Sequence, residues 1–120
     1  MTYNIQIYSA KTMLAEVETE SEDFFDNDKN LFPFTEKEIQ FLKSELAESQ
    51  FEIIKEDKKG ISFSNRQYED IKAFLTSRGL YLRSDFDNAF EIGILASEIS
   101  ERGNLAKYDP QADGWEVLGE

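Results

Sequence analysis

Phe51-Glu52-Ile53-Ile54-Lys55-Glu56-Asp57-Lys58-Lys59-Gly60-Ile61-Ser62-Phe63 is the stretch on which the fold class turns. Phe51 to Lys55 reads as a strand and Ile61 to Phe63 as its return. The connector Asp57-Lys58-Lys59-Gly60 suits a hairpin tip, with Gly60 free to take positive φ. A tight turn joins antiparallel strands, whereas a parallel pair needs a long crossover. The expected fold is therefore α+β: one domain in which three to four helices pack on a mainly antiparallel sheet of four to six short strands.

Outward from this hairpin, the N-terminal side holds two further signals. Tyr3, Ile5 and Ile7 alternate with Asn4 and Gln6, the period of a strand with one buried face. Immediately before the hairpin, Thr35 and Glu38 stand at capping-box positions. Phe34 and Ile39 flank them as a hydrophobic staple, and Ile39, Leu42 and Leu46 form the inner stripe of a helix ending near Glu48. Met13, Leu14 and Val17 have helical spacing over residues 10–17. Residues 16–30 are read as a mobile, solvated acidic loop or a frayed helix end, because like charges this dense repel one another.

On the C-terminal side, Ser64 with Gln67 suggests the start of a helix whose Tyr68, Ile71 and Leu75 face inward and which Gly79 stops, Leu80 folding back on Leu75. Leu80-Tyr81-Leu82 reads as a short extended piece. A last helix is expected from Ser84 or Asp85 to about Arg102, stopping at Gly103. Its apolar set of Phe86, Ala89, Phe90, Ile92, Ile94, Leu95, Ala96 and Ile99 leaves a narrow polar stripe and predicts the central buried helix. Leu105–Tyr108 and Trp115–Leu118 read as two strands joined through Asp109–Gly114.

Composition narrows the chemistry. The 120 residues carry 13 Lys and Arg against 25 Asp and Glu, a net charge of −12. That field repels phosphate backbones and anionic lipid, and there is no basic stripe to hold nucleic acid. The excess sits at the two ends: residues 61–90 hold four acids and four bases. Such a distribution can steer a basic partner, or it can serve solubility alone. Histidine and cysteine are absent, which removes imidazole bases, thiol chemistry and the usual zinc ligands. Met1–Tyr8 has no basic segment and no long apolar run, so it does not read as a signal peptide. With no cysteine, a cytoplasmic location is expected.

Three acidic patterns were weighed as chemistry. Asp26, Asp28 and Asn30 resemble the opening of a calcium loop, but Leu31 stands where Gly is required and Lys37 where a bidentate Glu is required. Glu56-Asp57-Lys58 has the spacing of a Mg²⁺ nuclease core, at a hairpin tip and without a basic surface beside it. A glycosidase needs two carboxylates, but with 25 acids no particular pair is informative. No catalytic residue, metal or cofactor is expected. As a binding surface, the candidate residues are Glu16, Glu18, Glu20, Glu22, Asp23, Phe24, Phe25, Asp26 and Asp28, where charges would steer and aromatics would anchor. Phe32 and Phe34 are assigned to the core by the staple. Trp115 is read first as a sheet-covering residue and second as an interface anchor.

Met1-Thr2-Tyr3-Asn4-Ile5 at a first strand, with Tyr108-Asp109-Pro110-Gln111 before the last, resembles small acidic bacterial proteins of the toxin-immunity kind, including those of contact-dependent inhibition. The resemblance implies an acidic α+β domain that binds and neutralises a basic toxin. It carries over no individual binding residue. The expected function is a protein-binding module with a basic toxin domain as partner, a monomer or weak homodimer that binds neither nucleic acid nor membrane. Two other readings stand beside it: an adaptor that self-associates or binds through a sheet edge, and a carboxylate- or Mg²⁺-dependent enzyme.

Overall fold

In the computed structural model of the chain, residues 2–19, 31–109 and 114–115 are described. Alternation of apolar and polar side chains builds one sheet from β1 (Thr2–Tyr8), β2 (Phe51–Asp57), β3 (Gly60–Asn65), β4 (Lys72–Leu75), β5 (Leu80–Asp85), β6 (Ala106–Asp109) and the two-residue β7 (Gly114–Trp115). The order is β2-β3-β4-β5-β1-β6-β7 and every pair is antiparallel. Helices α1 (Ala10–Thr19), α2 (Glu36–Glu48) and α3 (Ala89–Gly103) complete the described elements, with a 3-10 turn at Phe86–Asn88. Three helices on an antiparallel sheet are the α+β architecture expected from the hairpin.

Period two decides which face is dry. Ile5, Ile7, Leu80, Leu82, Ala73, Leu75, Ile61 and Phe63 are buried and point toward α2 and α3, where Leu42, Leu46, Ile92, Ala96 and Ile99 meet them in one core. Among the described residues, the opposite face is covered at one end. There Tyr8 and Leu31 are buried, with Ala15 of α1 and the rings of Tyr81, Tyr108 and Trp115 packed on them.

The local signals around α2 and the hairpin hold. Thr35 Oγ1 accepts the Glu38 N–H at 3.1 Å and the Thr35 N–H donates to Glu38 Oε1 at 2.8 Å, a complete capping box. At the hairpin tip Asp57 Oδ1 accepts from the Lys59 and Gly60 N–H groups at 2.8 and 3.3 Å. These bonds, the Lys59 one first, hold its carboxyl below the usual range. Gly60 is required by space: a Cβ there would lie 2.4 Å from the Leu75 carbonyl oxygen.

Several expectations need correction. The helix expected from Ser64 to Gly79 is instead a turn and strand β4. Asn65 Oδ1 accepts from the Gln67 and Tyr68 N–H groups at 2.8 and 3.0 Å, and this Asx turn reverses the chain. Ile71 and Leu75, four apart, fit a helix and a strand equally. Buried Ala73 between them, alternating with Lys72 and Phe74, belongs to period two. Gly79 closes the β4–β5 hairpin, where the Thr76 N–H donates to the Gly79 carbonyl at 2.8 Å.

Of the two readings for 16–30, residues 16–19 follow the helix end, since α1 runs to Thr19; residues 20–30 lie outside the described residues. Within α1, Leu14 and Val17 are exposed while Thr12 is buried. The Thr12 hydroxyl explains this inversion: it accepts the Phe32 N–H at 2.9 Å and pairs with Ser9 Oγ at 3.0 Å.

Phe32, assigned to the core, is exposed; its backbone, not its ring, is what the structure holds. Finally, α3 starts at Ala89, and Asn104, with φ 55°, is its left-handed terminator. Gly103 instead leaves room for the Phe41 ring, which a Cβ would meet at 2.4 Å.

Candidate functional site

Helix α3 is not the buried central helix that its apolar content predicts. Its inner side places Ile92, Ala96 and Ile99 in the core, all fully buried. A helix lying on one face of a sheet can bury only an arc of its circumference, and α3 carries more apolar residues than that arc holds. The surplus on α3 is Phe90 and Ile94, four apart and therefore on one side of the helix, and Phe86 on the 3-10 turn before it is exposed as well. Phe86, Phe90 and Ile94 are 46%, 75% and 42% exposed.

This flank overlooks strands β1 and β6. Tyr3 stands edge-on to Phe86 with ring centroids 5.8 Å apart, and its hydroxyl donates to the Asp109 carboxylate across the two strands. That hydrogen bond, helped by burial, pushes the Tyr3 phenol up to about 12. Lys107 is tied down here, its Nζ donating to Ser97 Oγ at 2.9 Å and to the Gly93 carbonyl at 3.3 Å. Between helix and strands lies a shallow depression of about 550 Å³ that Phe90, Ile94 and Tyr3 help to line.

The rim is acidic. Asp87, Glu91, Glu98 and Glu101 are all exposed on the same turn and helix. The single basic residue between Phe86 and Gly103 is Arg102, which is engaged by Glu45 at 2.9 Å and Glu98 at 3.3 Å. The arrangement is an apolar ridge beside a row of carboxylates, suited to hold an apolar anchor surrounded by cations.

Of the nine residues expected from the acidic run, two are described. Glu16 is partly buried and accepts the Trp115 indole N–H at 2.8 Å, so its carboxylate is used internally. Glu18 is exposed on α1. Glu20, Glu22, Asp23, Phe24, Phe25, Asp26 and Asp28 lie outside the described residues, as do the calcium-like positions through Asn30. Trp115 packs edge-on against Tyr108 and Tyr8, at 4.9 and 6.0 Å between centroids, the sheet-covering role read first for it.

Asp57 of the Glu56-Asp57-Lys58 pattern spends its carboxylate on the hairpin turn. Among the described residues no three acids converge on a point that could hold a metal ion, and no helix is long and apolar enough to cross a membrane. The α3 flank was missed because its residues were assigned to the core. The signal was present in a helix with too many apolar positions for one buried arc.

No protein-family model, curated protein or solved structure matches this chain.

Proposed function

We propose that the chain is an acidic protein-binding module that engages a basic protein through the outer flank of α3, in the manner of an immunity protein masking a cytoplasmic toxin domain. The observation that carries the reading is Phe90, 75% exposed, on the same side of α3 as Ile94, with exposed Phe86 on the preceding turn and four exposed carboxylates on the same turn and helix. Large aromatics left in water are costly unless something covers them. The acids would steer a cationic partner, and the ridge would supply the anchoring energy. Relative to the run 16–28, the anchor moves to α3.

The sheet-edge alternative finds less support. The outer strand β2 has a register irregularity between Ile53 and Lys55 and carries Glu52, Lys55, Glu56 and Asp57. Bulges and charges of this kind keep an edge from pairing with another strand.

A photo-crosslinking phenylalanine analogue at position 90, in the native cell, should trap a basic protein that the same label at Lys58 does not. With that partner purified, Phe90→Ser should weaken binding at least about tenfold, the loss of one anchoring aromatic. Glu91→Lys with Glu98→Lys should slow association and flatten its salt dependence. Unchanged affinity and unchanged association rate in these variants would remove α3 from the interface.

A further inference from the structure

We propose that the part of the second sheet face that no described residue covers is a binding site for a small aryl carboxylate, independent of the α3 surface. Cross-strand register builds it. Lys72 and Arg83 are directly opposite on β4 and β5, with Ser64 beyond Lys72 and Asn4 beyond Arg83. Two residues along the same strands, Phe74 faces Tyr81. A cationic row thus lies beside an aromatic row, separated by roughly 7 Å, two residues of strand rise.

Like charges directly opposite on a sheet destabilise it, and here nothing in the lining offsets them. The depression is about 550 Å³, and among the described residues its lining contains no acid. The Arg83 side chain is exposed, and its guanidinium forms no hydrogen bond or ion pair among the described residues. Lys72 donates only to Ser64 Oγ, at 3.1 Å. Lys72 has a minor influence on the Asp70 carboxyl, but that carboxylate is held by Asn88 Nδ2 at 2.7 Å and the Asp85 N–H at 2.9 Å.

A carboxylate placed between the two cations removes their repulsion, and the guanidinium fork of Arg83 can bind it through two hydrogen bonds. A flat ring attached through a short link then reaches Phe74 and Tyr81. Net negative charge does not forbid this. At an ionic strength near 0.15 M the Debye length is about 8 Å, so acids elsewhere are screened while the two cations in contact are not.

The test is an amide-detected NMR titration of the whole chain with 3-phenylpropionate, and with 3-phenylpropionamide as the uncharged control. Saturable shifts centred on Lys72, Phe74, Tyr81 and Arg83 are expected, with the carboxylate favoured at least about tenfold over the amide. Lys72→Gln with Arg83→Gln should lose that preference, and Arg83→Lys should lose part of it. Phe90→Ser should retain it, which separates this site from the α3 proposal. The spectra themselves report whether each variant is folded. Shifts that do not saturate, equal binding of the amide, or a preference that survives in the double glutamine variant would each overturn the proposal.

Discussion

Helices α2 and α3 pack on the same face of the same sheet, yet they are built differently. α2 has a complete capping box, buries Leu42 and Leu46 completely, and leaves no large apolar residue exposed. α3 has no side-chain cap: Asn88, at its N-terminus, donates instead to Asp70. It buries Ile92, Ala96 and Ile99 as thoroughly as α2 buries its leucines, then sets Phe90 and Ile94 in water. Every large apolar residue of α2 is accounted for by folding. Those of the α3 flank are not, and a residue that folding does not require is the first place to look for binding.

The contrast can be broken by mutation. Leu46→Ala should cost about 2–5 kcal/mol in denaturant unfolding, the usual range for a fully buried leucine. Phe90→Ala should change stability by less than about 0.5 kcal/mol, as surface positions do. Comparable losses at the two sites would mean that Phe90 is part of the core after all.

A smaller effect tests the cap. Thr35→Ala should remove about 1 kcal/mol, read from the same unfolding curves. No loss would show that tertiary packing, not the capping box, sets the start of α2.

The last effect is a pH dependence that shows only in alkali. Tyr3, under the α3 flank, ionises near 10 when unfolded and near about 12 when folded. A raised pKa means that the folded state holds the proton more tightly. Its stabilisation is therefore complete below pH 10 and is lost as pH rises through 12. Tyr8, pushed up by burial, adds a loss of the same sign. Tyr3→Phe should make the fall of stability between pH 10 and 12 shallower, as followed by circular dichroism. An identical slope would mean that the bond to Asp109 does not form.

Some of the architecture was legible because its signals are local. Thr35 and Glu38 need only their own backbone to form a capping box. Asp57 and Gly60 need only a two-strand turn, and Tyr3, Ile5 and Ile7 declare a strand by alternation. The stretch from Ser64 to Gly79 misled because Ile71 and Leu75 satisfy both periods. The turn made by Asn65 resolves the choice, and its side chain also depends on a carbonyl at Ser49, 16 residues away.

The candidate surface was less legible for a related reason. Apolar content shows that a residue can be buried, not whether a neighbour exists to bury it. Phe90 and Ile92 are equally apolar and two positions apart, and one is in water while the other is in the core.

By itself the amino-acid sequence determined the class of fold, the hairpin, the start of α2 and the acidic character of the molecule. These depend on dihedral preference, local hydrogen bonding and composition, which act over a few residues. Only the tertiary structure decided which apolar residues of α3 lack a partner, that Glu16 is committed to Trp115, and that Lys72 and Arg83 meet across two strands. Each of these follows from strand order and register, which bring together residues that no local spacing connects.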